Sequence, residues 1–411
     1  DGSSRLAEGH KWVLFPSAAL AWRISDEPFM KDLVWLDNLK LRVGYGKTGN
    51  SAVSPYQTKG QLALRHYVFN NGSSEYIGYA PSVMANDQLT WETTDQWNVG
   101  VDFGFLKNRI NGTVEFYLQN TKDLLLKRQL PVVSGFSSVM SNVGSTRNKG
   151  IEITLNTRNI MNRNFTWSTD LTFSANKEEI VELYNGKTDD VGNLWFIGQP
   201  IDVYYNYKKI GIWQNTENDL AEMAKFNEKG ANFKPGSIRL EDVDGDYKIT
   251  EEDKQILGSV RPKFVASMVN NFEFKGFDLS VFLYASVGGL LRNNIEFMEK
   301  PGRGNTVKVD YWTPTNPTNA FPRPSVDVEK LDYISTLGYD KADFLRIRNI
   351  TLGYTLPEMW SKKVLMDKIR IYLSANNPAI FTNFTGIDPE GANGRTAPSY
   401  STWMFGINLS M

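Results

Sequence analysis

The chain has 411 residues with 45 basic and 46 acidic side chains, a balance that argues against nucleic-acid binding, which requires excess positive charge. It contains no cysteine and only two histidines, which excludes disulfides and cysteine ligands and disfavours a histidine-based metal or catalytic centre. The absence of a long apolar run excludes a transmembrane helix but leaves a membrane β-barrel open, because barrel strands alternate lipid-facing and polar residues.

Alternation of apolar and polar residues with a period of two predicts an all-β fold, because this period places one residue class on each face of a strand. The last segment shows it best, where Trp403, Phe405, Ile407 and Leu409 alternate with Thr402, Met404, Gly406, Asn408 and Ser410. In chain order the predicted strands are 11–24, 39–47, 96–105, 110–119, 149–158, 165–176, 263–274, 277–286, 343–355, 368–376 and 402–410.

The predicted links between these strands alternate in length. Short or modest links are 25–38, 106–109, 159–164, 275–276 and 356–367, and long links are 48–95, 120–148, 177–262, 287–342 and 377–401. Outer-membrane barrels have short periplasmic turns and long extracellular loops, so the alternation predicts a transmembrane, antiparallel up-and-down β-barrel. A β-sandwich gives no reason for loops sorted by length in this way.

The polarity of the strands predicts an incomplete barrel. With short turns in the periplasm, the first strand runs inward and the eleventh ends in the periplasm at Met411. Bacterial barrels normally have an even number of strands, so an odd count starting outside implies further strands before Asp1. The chain also runs from Asp1 almost directly into an apolar stretch without a signal peptide, which indicates a start inside a domain.

Aromatic residues near the predicted strand ends favour a bilayer, because interfacial girdles need amphipathic rings at that depth. These residues are Trp12, Phe15, Trp22, Trp35, Trp91, Trp97, Phe103, Phe105, Trp167, Trp360 and Trp403. A sandwich core also buries tryptophan, so the aromatic pattern alone leaves that alternative open.

Several fragments, in register from one end of the chain to the other, resemble the SusC/RagA family of TonB-dependent transporters. They are DGSSRLAEGHKWVLFPSAALAWRISDEPFM (1–30), LKLRVGYGKTGN (39–50), YWTPTNPTNAFPRP (311–324), FLRIRNITLGYTLP (344–357), IRIYLSANNPAIFT (369–382) and DPEG (388–391). The resemblance covers residues 1–411 and identifies them as the C-terminal part of such a barrel. It implies an outer-membrane location in a Gram-negative, Bacteroidetes-like bacterium.

The resemblance also implies partners. The family pattern is a barrel of about 22 strands with an N-terminal plug, a SusD-like surface lipoprotein as a lid, and import of glycans or peptides driven through TonB. This chain departs from that pattern, because it carries no TonB box, no plug and only the second half of the wall. Outer-membrane lipid is the expected surrounding, and no nucleic acid is expected as a partner.

An acidic segment, 242–253, lies in the long extracellular loop predicted at 177–262. Carboxylates stand at its positions one, three, five and twelve (Asp242, Asp244, Asp246 and Asp253), and position seven offers the carbonyl of Lys248. This spacing is close to that of a loop that wraps oxygen ligands around Ca²⁺. Because the resembled family also has such loops, we predict a structural calcium ion here and no organic cofactor.

Two departures weaken the calcium prediction. Position six is Tyr247, where the sharp turn prefers glycine, and Asp253 is shorter than the bidentate glutamate expected at position twelve. The alternative is an Asp-Gly turn followed by a helix that begins with Thr250 as its N-cap.

Aromatic residues in the long loops are candidate contacts for a substrate or for the lid lipoprotein, because flat rings stack on sugar faces and suit capture surfaces. The predicted residues are Trp195, Phe196, Tyr204, Tyr205, Trp213, Tyr311 and Trp312, within segments such as LWFIG (194–198) and VYYNYKKIGIW (203–213). Ordinary loop packing is the alternative for each.

No catalytic residue is predicted, because the sequence contains no nucleophile elbow, phosphate loop or His-Glu-x-x-His motif. The leading hypothesis is a nutrient importer. Its rivals are a soluble or surface β-sandwich that binds carbohydrate and a secreted glycoside hydrolase that uses two carboxylates.

Overall fold

The structure is a computed structural model that describes residues 1–136, 138–293, 309–324, 332–391 and 399–411. These residues form two compact units: unit 1 comprises residues 1–159 and 170–201, and unit 2 comprises residues 160–169 and 202–411. No helix in the described ranges is long and apolar enough to cross a membrane.

Strands dominate the secondary structure. In chain order they are β1 (Ser17–Arg23), β2 (Leu36–Asn50), β3 (Gln61–Phe69), β4 (Ser74–Val83), β5 (Glu92–Phe105), β6 (Ile110–Lys122), β7 (Leu125–Gln129), β8 (Ser138–Asn142), β9 (Ser145–Met161), β10 (Phe165–Glu182), β11 (Val203–Asn206), β12 (Lys209–Ile212), β13 (Ile238–Leu240), β14 (Gln255–Ser259), β15 (Phe264–Phe274), β16 (Phe277–Val287), β17 (Leu290–Arg292), β18 (Tyr339–Lys341), β19 (Phe344–Thr355), β20 (Lys368–Thr382) and β21 (Thr402–Ser410). The α-helices are α1 (Glu217–Glu228) and α2 (Glu358–Ser361). Short 3-10 turns lie at Ile24–Asp26, Pro28–Met30, Asn70–Gly72, Val132–Ser134, Val191–Asn193, Glu251–Asp253, Ile334–Thr336 and Lys362–Val364.

Eleven of the strands in the described residues form one main sheet in the order β1-β2-β5-β6-β9-β10-β15-β16-β19-β20-β21. The order follows the chain, as an up-and-down meander requires, and each predicted strand corresponds to one member. The predicted first strand, 11–24, is shorter in the structure, whereas 165–176 extends to Phe165–Glu182. The pairing continues past the apolar segment because the backbone ladder does not depend on hydrophobic side chains.

The links confirm the predicted alternation of short and long connections. The β15–β16 turn consists of Lys275 and Gly276, both with positive φ, as a two-residue hairpin turn of the primed type requires. The long links contain further structure that the sequence pattern missed. They hold the pairs β3–β4, β7–β8, β11–β14, β12–β13 and β17–β18.

In unit 1 the main sheet has one polar and one apolar face. On the polar face, Arg42 Nη2 lies 3.0 Å from Asp102 Oδ1 on β5 and 3.2 Å from Glu115 Oε2 on β6. On the apolar face, the side chains of Trp97 and Phe116 are about half exposed. The two residue classes therefore stay separated across three neighbouring strands.

Unit 2 shows the same separation. The alternating residues Trp403, Phe405, Ile407 and Leu409 on β21 are all exposed, with Phe405 at 71%. A sandwich would bury this side against a second sheet, so that alternative is wrong for the main sheet. Large apolar side chains exposed in rows on one face are typical of strands that meet lipid.

A small buried cluster in unit 1 corrects part of the aromatic prediction. Trp91 packs with Leu6, Val53 and Leu89, and its ring lies 5.4 Å from that of Phe15. These two rings therefore stabilise the loop region next to β5 and are not placed as an exposed girdle. The reason is local, since both residues stand just before a strand and not within its apolar face.

Candidate substrate-binding site

Parts of two long links in unit 2 fold into a body that we call the loop domain, comprising residues 203–259, 309–324 and 332–342. Its first part contains β11 to β14 and α1, within a stretch predicted only as a loop. Helix α1 begins after Thr216, whose hydroxyl accepts a hydrogen bond from the Asp219 amide at 3.2 Å. This cap satisfies one of the amides left unpaired at a helix start.

Aromatic rings form one core of the loop domain around Trp213, which is 1% exposed. The Phe226 and Phe233 rings lie 5.9 and 6.1 Å from it, and the Arg239 guanidinium lies 4.4 Å from its centroid. Arg239 also pairs with Asp219 on α1 at 3.2 Å. Burial of several rings and a paired cation fixes α1 against β13.

The second link of unit 2 joins this body through Trp312. Its indole packs with Ile212, Ile238 and Leu337, and its Nε1 donates to Gln214 Oε1 at 2.8 Å. Gly236 lies directly below this ring: it has a φ of +86°, and a Cβ there would stand 2.5 Å from the indole. Glycine is therefore required for the two links to meet.

A cavity of about 680 Å³ opens in unit 2 beside the loop domain, within the range usual for ligand sites. It is lined by Lys208, Lys209, Gln255, Ile256, Leu257, Leu290, Val309, Asp310, Ala320, Phe321, Thr336, Leu337, Gly338, Tyr339, Asp340 and Thr385. Apolar side chains share this lining with polar and charged ones, a mixture that suits a polar ligand held in one orientation.

The two lysines of the cavity differ in their partners. Lys208 Nζ lies 3.0 Å from Glu241 Oε2, and this hydrogen bond, with another from Gln255, holds the pKa of Glu241 below its usual range. Lys209 Nζ instead donates to the carbonyl oxygens of Asn319 and Ala320, at 2.8 and 2.7 Å. Burial lowers the pKa of Lys209, because its charge is partly removed from water.

The two acids of the cavity accept hydrogen bonds from neutral groups. Asp310 accepts from Thr318 Oγ1 at 2.6 Å and Asn316 Nδ2 at 2.8 Å, and these bonds lower its pKa. Asp340 accepts from the Thr385 hydroxyl. Both carboxylates retain lone pairs that are available to a ligand donor.

The aromatic residues predicted to contact a substrate or the lid differ in how accessible they are in the structure. Phe196, Trp213 and Trp312 are buried core residues, so their rings stabilise the loops and are not available to a ligand in this arrangement. Trp195 is half-buried beside Phe196 in unit 1. Tyr311, at 45% exposure, remains accessible.

Tyr204 and Tyr205 are half-buried on β11. The Tyr204 ring lies 5.2 Å from that of Tyr339, a residue of the cavity wall, and its hydroxyl accepts from the Arg292 amide at 3.3 Å. Tyr204 therefore supports the wall from behind, and a direct role for Tyr205 stays a prediction.

The predicted calcium segment forms a compact turn. Oxygens of Asp242, Asp244 and Asp246 all lie within 4.8 Å of one another. Asp242 accepts from the amides of Gly245 and Tyr247, both at 2.9 Å. These carboxylates and the Lys248 carbonyl are the oxygen donors that calcium prefers, so the donor set fits the ion.

The two weak positions of that segment behave differently. Tyr247 adopts a φ of +61°, the turn conformation for which glycine is usual, and its ring lies 5.5 Å from that of Phe226. Ring packing thus offsets the strain at position six. Asp253 lies outside the acidic cluster, is 1% exposed and accepts from the amides of Val243 and Thr250, at 2.8 and 2.7 Å.

The alternative interpretation of this segment is therefore also present. Thr250 and Asp253 form a reciprocal capping box around the 3-10 turn Glu251–Asp253. Asp253 acts as a capping residue here, whereas the carboxylates at positions one, three and five remain together. Calcium binding stays a prediction.

A buried ion pair connects strand β19 to the following long loop. Arg346 Nη2 lies 2.7 Å from Asp388 Oδ1, and both side chains are almost fully buried. Burial opposes ionisation of Asp388, but hydrogen bonds from Ser399, the Glu390 amide and Arg346 outweigh it and lower the pKa of that carboxyl. The Asp-Pro-Glu-Gly fragment is thus fixed to the sheet by charge.

The sequence pattern missed Lys209, Asp340 and Tyr339 as cavity residues. Lys209 lies in the segment 203–213, which attracts attention for its aromatic residues. The adjacent Lys208 has the same side chain, so the sequence does not distinguish the two lysines. Nothing in the sequence shows that Asp340 lies at the same cavity, because the two positions are brought together only by pairing of the long links.

Known proteins resemble the chain in both sequence and structure. Residues 1–378 match the family model described as TonB dependent receptor-like, beta-barrel. TonB-dependent receptor P3 of Formosa agariphila is 33% identical over 100% of this chain and 43% of that protein. TonB-dependent receptor SusC of Bacteroides thetaiotaomicron is 32% identical over 100% of this chain and 41% of that protein.

The structure described as that of the RagAB peptide transporter superposes with a TM-score of 0.81 at 25% identity, covering 99% of this chain and 44% of that one. The chain thus spans about two fifths of the length of the curated relatives. The family match covers most of the chain, and the main sheet has the one-sided apolar face of a membrane strand array. The chain therefore belongs to the TonB-dependent receptor β-barrel family of outer-membrane transporters.

Proposed function

We propose that this chain forms the second half of the wall and the extracellular loops of an importer that carries glycan or peptide nutrients across the outer membrane. The observation that carries the proposal is the cavity of about 680 Å³ at the loop domain. A wall alone needs no folded loops, whereas cargo capture needs a concave, partly apolar surface with oriented polar groups.

The proposal includes partners for the loop end and for energy coupling. A SusD-like surface lipoprotein covers the loops, and TonB acts through a plug and a first barrel half that are not part of this chain. The β3–β4 hairpin supports a covering partner, because Leu64, Ile77 and Tyr79 on one face and Tyr67 and Tyr76 on the other are about half exposed or more.

Uptake by cells tests this proposal. A strain lacking the full-length gene is compared with the complemented strain for growth on single glycans and single peptides as the only nutrient. We expect growth on one class to be lost, restored by the gene and abolished again when TonB is deleted. Normal uptake of every nutrient by the deleted strain would contradict an importer.

A transport role also predicts that the cargo leaves the protein chemically unchanged. Cargo incubated with the purified full-length protein and analysed by mass spectrometry is expected to keep its mass. A hydrolysis product that disappears on substitution of one acid would instead favour the glycoside hydrolase alternative.

A further inference from the structure

The charges around the loop-domain cavity are not all balanced in the same way. Lys208 has an opposite charge in Glu241. Lys209 contacts two backbone carbonyls, and among the residues that the structure describes no carboxylate pairs with it. Carbonyl dipoles satisfy two of the three donors of an ammonium group, but they do not neutralise its charge.

A half-buried cation without an opposite charge is an electrostatically unfavourable arrangement that a ligand anion would relieve. Burial is the cause of the lowered pKa of Lys209, and no carboxylate of the described residues forms an ion pair with it that would raise this pKa. Lys209 is also held in place by Asn319 and Ala320, so little side-chain freedom is lost when an anion binds.

We propose that this cavity binds a carboxylate group of the cargo at the Lys209 ammonium, with Asp310 and Asp340 accepting hydrogen bonds from hydroxyl or amino groups of the same cargo. The proposal rests on the proposed import function and names the chemistry of what is imported. Lys209, which has no carboxylate partner among the described residues, and the two acids Asp310 and Asp340 of the cavity wall are taken as complementary parts of a single site.

The two acids restrict the anion. A phosphate monoester brings more negative charge, and a sulfate ester more acceptor oxygens, towards the acceptor-only carboxylates of Asp310 and Asp340, which repel them. A carboxylate carries a single negative charge and sits beside hydroxyl or amino groups in both uronic acids and peptides. The shared chemistry is therefore a carboxylate, and its source is decided by experiment.

The test uses the purified full-length protein in detergent and two matched pairs of probes. The first pair is a trisaccharide of uronic acid and its neutral methyl ester. The second is a tripeptide with a free C-terminal carboxylate and its C-terminal amide. Binding is measured by calorimetry for the native protein and for K209M, K209R and K229M.

The native protein is expected to prefer the acid over the neutral probe of at least one pair. K209M should weaken binding of that acid by about tenfold or more, because a charge-assisted hydrogen bond is lost, and should leave its neutral partner within about twofold. K209R should keep the preference. K229M is the control, since Lys229 is an exposed residue directly after α1 that does not line the cavity, and it should change little.

A structural role of Lys209 alone makes a different prediction. Loss of its bonds to Asn319 and Ala320 would weaken acid and neutral probes equally, and that result overturns the proposal. The proposal also fails if the native protein binds the acid and neutral probes of each pair equally well, or if K209M keeps the native preference for the acid as K209R does. Growth of the deleted strain decides the import function separately, so the two failures are distinguishable.

Discussion

The main sheet and the loop domain treat their large apolar side chains in opposite ways. In the sheet Phe405 and its neighbours on β21 are exposed, whereas in the loop domain Trp213 and Phe226 are buried among other rings. A protein in water hides such residues, and a barrel wall presents them to hydrocarbon. Two regions of one chain are therefore adapted to two different solvents, hydrocarbon at the sheet and water at the loop domain.

Because the sheet and the loop domain face different solvents, we expect their stability to respond to different kinds of substitution. The loop domain depends on tight packing, so shortening an interior side chain leaves a cavity there. The apolar face of the sheet has no protein layer to pack against and depends on matching the lipid, so polarity matters more than volume. Substitutions that change side-chain volume in the loop domain or polarity on the sheet therefore separate the two regions.

The strongest test of interior packing is Phe226→Ala on α1. Phe226 is 3% exposed and contacts Trp213, Phe233 and Tyr247, so its removal is expected to destabilise the loop domain by about 3–5 kcal/mol. Urea unfolding followed by tryptophan fluorescence measures the change. Leu220→Ala on the same helix, where the side chain is 43% exposed, should change the free energy of unfolding by no more than about 0.5 kcal/mol. Equal effects of the two substitutions would contradict a core packed as in a water-soluble protein.

A charge on the sheet tests the lipid-facing side. Ile350 lies on the apolar face near the middle of β19 and pairs with Val281 and Ala375, and Ile350→Arg is expected to destabilise the membrane-inserted protein by about 2–4 kcal/mol, the cost near the bilayer middle. The adjacent Thr351→Arg, on the polar face, serves as the control and should assemble nearly normally. Assembly into lipid vesicles measures both, and a reversed order would mean that the faces are wrongly assigned.

The sheet was predictable because its signal is local. Alternation in residues such as Trp403 to Leu409 marks a strand whatever it pairs with, and consecutive strands of a meander pair in chain order. The loop domain was not predictable, because no periodic pattern around Trp213 or Trp312 shows whether their rings pack against protein or contact a ligand. Their burial depends on contact between two links about a hundred residues apart, as the Gln214–Trp312 hydrogen bond shows.

The attachment of the link after β20 to the main sheet is tested by Asp388, which lies outside the loop domain. Because the folded state lowers the pKa of Asp388, its carboxylate stabilises the protein above the ordinary aspartate pKa of about 4, and this contribution is lost as pH falls through the folded value. Asp388→Asn leaves Arg346 less well paired and is expected to lose about 1–3 kcal/mol at pH 7.

Thermal unfolding of the full-length protein between pH 7 and pH 3 measures this effect. The difference between Asp388→Asn and the native protein should shrink below about pH 4, because the native carboxyl is then protonated as well. Asp32→Asn, at an exposed site, is the control and should follow the native curve. A difference that stays constant down to pH 3 would argue against an ionised Asp388 as the cause.

The acidic turn is expected to give the smallest effect, and it separates a metal ligand from a capping residue. Calcium at ten times its dissociation constant should stabilise the native loop domain by about 1.4 kcal/mol. Asp244→Asn should lose this increment yet unfold no earlier without calcium, because removing one of three neighbouring carboxylates relieves repulsion.

Asp253→Asn should show the converse behaviour, because Asp253 holds the amides of Val243 and Thr250 whether or not an ion is bound. We expect it to lower stability without calcium and to keep most of the increment that calcium adds. Thermal unfolding with calcium, with magnesium and with a chelator measures these increments. If calcium stabilised the Asp244→Asn protein as much as the native protein, the turn would be held by its hydrogen bonds and not by a bound ion.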